Sequence, residues 1–158
     1  MSIAKEKVNN LKISIIKDGY AGYIPSDYKI SKWANTSFIK NKKSFVTIKL
    51  AKRSEIMKLN RKYFKKEKPC NVLSFPIRSE IVKGEYFLGD IIICPPIINK
   101  ESKEFNIKKD MRWAHMVVHS MLHLQGYTHE SKKNREIMEM KEIELMINLG
   151  YTDPYNAN

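Results

Sequence analysis

Apolar and polar positions along the chain change period several times, and each change predicts an element. Leu11-Lys12-Ile13-Ser14-Ile15 alternates with period two, the pattern of a strand with one buried face. Ile30, Trp33, Ala34 and Phe38 then recur at helical spacing behind Ser26, whose hydroxyl can accept a bond from a free N–H of the first turn. Phe45 to Leu50 is rich in β-branched residues and predicts a second strand. Ser54 is the expected cap of a second helix, with Ile56, Leu59, Asn60 and Tyr63 on neighbouring turns. Val72-Leu73-Ser74-Phe75 and Phe87 to Cys94 predict two more strands. The last is almost wholly apolar, as a central strand should be, and Pro95 and Pro96 end it because proline donates no ladder hydrogen bond.

The C-terminal third reads as helical. One helix is expected from about Lys108 to Gln125, stopping at Gly126, and another from about Ser131 to Leu149, stopping at Gly150. Ile137, Met140, Ile143, Met146 and Ile147 are expected on the inner side of the second. No repeat, low-complexity linker or Gly/Ser-rich hinge interrupts the chain, so residues 1–158 are expected to form one domain. The expected fold class is α+β: a single small mixed sheet of about four strands, covered by helices.

Composition narrows the class of protein. A chain of 158 residues buries roughly 70% of its extended surface and needs no disulfide staples. Its two cysteines, Cys70 and Cys94, form no Cys-x-x-Cys pair, so a reducing, cytoplasmic setting is expected. The opening Met1-Ser2-Ile3-Ala4-Lys5-Glu6-Lys7 lacks the apolar run of a signal peptide. The longest stretch free of Asp, Glu, Lys and Arg, Trp113 to His129, contains four histidines and falls short of the ~20 apolar residues of a membrane span.

The net charge of +12 is unevenly spread. Residues 1–68 hold 18 basic and 5 acidic side chains, against 11 and 12 in residues 69–158, so the whole excess lies in the first part. Two readings stay open. One is a surface that faces a polyanion, with nucleic acid as the default partner. The other is codon bias, because lysine, isoleucine and asparagine, all abundant here, share AT-rich codons. Lys62, Lys65, Lys66 and Lys68, at the end of the second helix and just before the Val72–Pro76 block, are either a solvated face or the candidate RNA contacts.

All four histidines fall between positions 115 and 129. His115, His119 and His123 repeat every four residues and so share one face of a helix. Two imidazoles so spaced can reach one ion, and the break at Gly126 can turn His129 back towards it. His119-x-x-x-His123-x-x-Gly126-x-x-His129 therefore reads as a three-histidine zinc site with an open fourth position, one zinc per chain. His115 stands outside this set, as a contact to the ligands, to substrate or to the core. The spacing matches that of metzincin proteases, but their glutamate general base is here Ser120, which argues against a peptidase.

The segment Trp113-Ala114-His115-Met116-Val117-Val118-His119-Ser120-Met121-Leu122-His123-Leu124-Gln125-Gly126-Tyr127-Thr128-His129 resembles the signature of the YbeY-type rRNA maturation endoribonucleases of bacteria. Further blocks in that family's order are Leu59-Asn60-x-x-Tyr63, Pro69 to Pro76, Leu88 to Cys94 and Leu149-Gly150-Tyr151-x-Asp153-Pro154-Tyr155. The resemblance implies a single-strand-specific, zinc-dependent endoribonuclease. It would act in maturation of the 16S rRNA 3′ end and in ribosome quality control, with ribosomal RNA and the small ribosomal subunit as partners. It also implies His119, His123 and His129 as the zinc ligands. Three positions depart from the family pattern: Phe64 stands where arginine is usual, Ser120 replaces glycine, and Thr128 replaces aspartate. Arg61, one helical turn before Phe64, is the expected catalytic cation in its place. The alternative is a zinc-stabilised RNA- or ribosome-binding protein of the same fold with weakened catalysis.

Overall fold

The computed structural model describes residues 10–156, so the opening Met1–Lys7 segment lies outside it. Strands β1 (Leu11–Ile16), β2 (Ser44–Leu50), β3 (Val72–Val82) and β4 (Glu85–Ile93) form one sheet in the order β1-β2-β4-β3. The first three in that order are parallel, and β3 runs antiparallel to β4 along an edge. Among the described residues the helices are α1 (Asp27–Thr36), α2 (Arg53–Phe64), α3 (Pro95–Glu104), α4 (Lys109–Leu124) and α5 (Lys132–Asn148). This is the expected α+β class, a four-stranded mixed sheet covered by helices.

The main core joins Val46, Ile48, Leu50, Leu88, Ile91 and Ile93 of the sheet to α1, α4 and α5. A smaller cluster of Ala51, Ile56, Leu73, Ile92 and Cys94 lies on the opposite face, under α2. Helix α4 is buried on almost every side, with Trp113, Val117, Met121 and Leu122 fully enclosed. The histidine helix is thus the best-fixed element of the fold.

Several expectations need correction. Ser54 is not the cap of α2: the helix starts at Arg53 behind Lys52, with no side-chain capping bond. Pro95 and Pro96 do end β4, but they also open α3, where the missing N–H groups would have had no helical partner. Strand β3 continues well past Phe75. Pro76 is tolerated there because β3 is an edge strand and its register with β4 shifts between Pro76 and Ser79. Gly89 permits this close pairing: a β-carbon on it would lie 2.2 Å from the Phe75 carbonyl oxygen.

The inner face of α5 is also rotated from expectation. Met138, Glu142, Leu145 and Met146 are buried, whereas Ile137, Met140 and Ile147 are exposed and Ile143 is half-buried. Glu142, which is not among the expected inner residues, occupies an inward position, because three hydrogen bonds wait for it there.

Candidate metal centre

Helix α4 carries His115, His119 and His123 along one side, and Gln125 ends it. Gly126 then adopts φ +104, a conformation that strains any residue with a β-carbon, and the chain reverses. That reversal returns His129 to the helix. One ligand atom from each of His119, His123 and His129 lies within 4.8 Å of the others, with His129 the most open.

The hydrogen bonds on the far side of each ring decide what the near side offers. His123 Nδ1 donates to the Tyr127 carbonyl at 2.9 Å, and His119 Nδ1 donates to Glu142 Oε1 at 3.2 Å. Both acceptors demand a proton on Nδ1, which leaves the lone pair on Nε2. The two Nε2 atoms face each other at 3.0 Å. Two lone pairs so placed repel unless a cation lies against both, so the donor set fits a divalent metal that takes imidazole nitrogen.

Electrostatics agree. Burial pushes the His123 imidazole down to about 4, helped by the neighbouring His119, and burial likewise lowers His129. Both rings are held in the neutral, ligating form. Burial works to raise the Glu142 carboxyl, yet bonds from His115, His119 and Tyr155 outweigh it and hold the group far below the ordinary range. Glu142 is fully buried, and it accepts from His115 Nε2 at 2.5 Å and from the Tyr155 hydroxyl at 2.6 Å. His115 therefore supports the carboxylate that supports His119.

Beside the ligands lies a cleft of about 270 Å³, lined by Phe64, Val72, Leu73, Ser74, Pro76, His119 and His123. A larger depression of about 620 Å³ lies between the end of α1 and α5. Among the described residues it brings no group of metal-ligating side chains together, so chemistry rather than size selects the smaller cleft.

The predicted cations and the other polar or aromatic residues of the quoted segments lie as follows. Arg61 is exposed on α2, its Nε 4.0 Å from Glu67, and it is not among the cleft-lining residues. Lys62, Lys65, Lys66 and Lys68 are exposed at and just beyond the end of α2. Buried Asn60 holds their loop by donating to the Lys68 carbonyl at 2.9 Å. Trp113 is core, its indole N–H donating to Asn99. Asn71 ties backbone, accepting from Val72 N–H at 2.7 Å, and Asp90 accepts from the Thr47 hydroxyl across the sheet. Ser120 is buried away from the cluster, with no hydrogen-bond partner for its hydroxyl. Sequence reasoning missed Glu142. Its only signal was a glutamate at the centre of a helix that otherwise buries apolar side chains.

The model of the family Endoribonuclease YbeY matches residues 26–150. The chain is 38% identical over 152 residues to Endoribonuclease YbeY of Buchnera aphidicola subsp. Schizaphis graminum, covering 95% of this chain and 96% of that protein. It is 44% identical over 127 residues to Endoribonuclease YbeY of Buchnera aphidicola subsp. Cinara cedri, covering 78% and 81%. A Thermotoga maritima protein solved in solution is 25% identical, covering 92% of this chain and 100% of its own, with a TM-score of 0.49. With the family model matched over residues 26–150, which hold the cleft and the histidine motif, and a curated relative 38% identical over 95% of this chain, the chain belongs to the Endoribonuclease YbeY family.

Proposed function

We propose that this protein is a zinc-dependent endoribonuclease that cuts single-stranded RNA, acting on the 16S rRNA 3′ end and in ribosome quality control with the small ribosomal subunit as partner. The observation that carries the reading is the pair of Nε2 lone pairs of His119 and His123, opposed at 3.0 Å and open to the cleft. The family's name supplies the substrate class. His119, His123 and His129 would hold the ion. When bound, zinc there supplies Lewis-acid chemistry, polarising a phosphoryl oxygen or activating a water at neutral pH.

This chain's own residues do the rest. Tyr127 and Glu142 fix the rings of His123 and His119 before substrate arrives, so no reorganisation accompanies reaction. Phe64 and Pro76 give the cleft an apolar lining on which an unpaired base can stack. Arg61, Lys62, Lys65, Lys66 and Lys68 place cations on the α2 side, where they would hold the strand's phosphates, with Arg61 as the candidate cation for the scissile one. A cytoplasmic site of action follows from that substrate. Consistent with it, no helix among the described residues is long and apolar enough to cross a membrane.

The test is zinc content together with cleavage of a single-stranded RNA oligonucleotide. About one zinc per chain is expected, with cleavage abolished by a chelator and by His123→Ala. A zinc-replete protein that binds RNA but leaves it intact would instead establish the binding-protein reading.

A further inference from the structure

Val72, Ser74 and Pro76 are alternate residues of β3, and all three line the cleft beside His119 and His123. Side chains two apart share a face of a strand, so the next place in that row belongs to Arg78. Here the strand is irregular. Its register with β4 shifts between Pro76 and Ser79, and Arg78 takes φ +49, which a non-glycine residue adopts at some cost. The irregularity sends the guanidinium across to the loop after α4. Arg78 Nη1 lies 3.0 Å from where a β-carbon on Gly126 would sit. Glycine at 126 thus makes the chain reversal possible and also leaves the space that the guanidinium fills.

Gly126 is three residues past His123, just beyond the end of α4, and lies between the second and third histidines of the metal motif. Among the described residues the Arg78 guanidinium has no carboxylate partner and no hydrogen bond. Of the other four arginines, Arg112 pairs with Glu101 at 3.1 Å and exposed Arg61 stands 4.0 Å from Glu67. An exposed guanidinium beside the glycine that follows His123, next in the row of β3 residues that line the cleft, is built to take an anion with two parallel N–H donors.

Resting on the endoribonuclease reading above, we infer that Arg78 binds a phosphate of the RNA strand at the Gly126 end of the cleft. It works across the cleft from the α2 cations. A strand lying along the exposed edge of β3 would meet Phe64 at one end, the metal ligands beside its middle and Arg78 at the other. The phosphate it grips is one on the same strand as the bond being cut, and fixing it orients that bond at the metal.

The experiment uses the zinc-loaded full chain and a fluorescent single-stranded RNA oligonucleotide, reading affinity against salt and kcat/KM. Arg78→Ala should lower kcat/KM at least tenfold and flatten the slope of log K against log salt by about 0.7, the loss of one single-strand phosphate contact. Zinc content and melting temperature should match the parent. Arg78→Lys should restore the slope but only part of the cleavage, because an ammonium lacks the fork. Lys103→Ala, which removes one charge from exposed α3, should change neither. Parental slope and cleavage in Arg78→Ala would overturn the inference while leaving the endoribonuclease reading standing. If the parent binds RNA without cutting it, the cleavage reading fails and the salt slope still decides the role of Arg78. A parent that neither binds nor cuts overturns both.

Discussion

Glu142 Oε1 stands 3.2 Å from His119 Nδ1, linking the centre of α5 to the first histidine of the metal motif. The second carboxylate oxygen is taken by His115 and Tyr155, so one buried acid gathers three side chains from α4 and the C-terminal segment. The contact fixes both the tautomer and the orientation of His119. Replacing the carboxylate with an amide turns one acceptor oxygen into a donor that faces imidazole N–H. Glu142→Gln should therefore weaken zinc binding roughly 10–100-fold, the usual cost of losing such a partner. His115→Ala, which touches the ion only through Glu142, should retain most of the zinc. Competition against a chromogenic chelator measures both, and parental affinity in Glu142→Gln would show that the carboxylate merely fills space.

The metal motif was legible in the sequence because its spacing is a local property. His119 and His123 sit four apart on one continuous helix, and Gly126 marks the reversal that returns His129. The inner face of α5 was not legible, since periodicity assigns glutamate outward and isoleucine inward. Glu142 reverses that rule only because His115, His119 and Tyr155 converge on it in three dimensions. Helix α3 escaped notice for a related reason: prolines that end a strand serve equally well to begin a helix. Arg78 left no trace either. Its place depends on a register shift in an edge strand and on a glycine nearly fifty residues away.

The basic run at the end of α2 separates the two explanations of the chain's charge. Lys62 lies 5.2 Å from the Tyr63 ring centroid, and Lys65, Lys66 and Lys68 point from a loop that Asn60 holds in place. If all four meet phosphates, neutralising them together should flatten the salt dependence of RNA binding by up to about 3, at roughly 0.7 per contact. Affinity at low salt should fall with no change in zinc content. An unaltered slope, measured by fluorescence anisotropy between 50 and 200 mM salt, would leave codon bias as the source of these lysines.

At the opposite end of α4, Asp110 gathers Tyr23 and Lys29, fastening α1 and the loop before it to the start of the histidine helix. Burial alone would raise the Asp110 carboxyl, but hydrogen bonds from Lys29 and Tyr23 prevail and hold it below the usual carboxylate range. A group whose folded pKa is lowered contributes stability that is full above its unfolded pKa and is lost as pH falls through the folded value. Asp110→Asn should thus cost roughly 1–2 kcal/mol at pH 7, the scale of hydrogen bonds to a charged partner, and the deficit should shrink steadily below about pH 4. The alkaline side follows the opposite sign. Burial and the Asp110 bond push the Tyr23 phenol up to about 12, so its share is full below pH 10 and fades as pH climbs towards 12. Thermal melts of the chelator-treated parent and Asp110→Asn at pH 7, 5 and 3 read the acid limb without interference from zinc binding. A deficit that stayed constant from pH 7 to pH 3 would mean that Asp110 acts through packing, with no contribution from its charge.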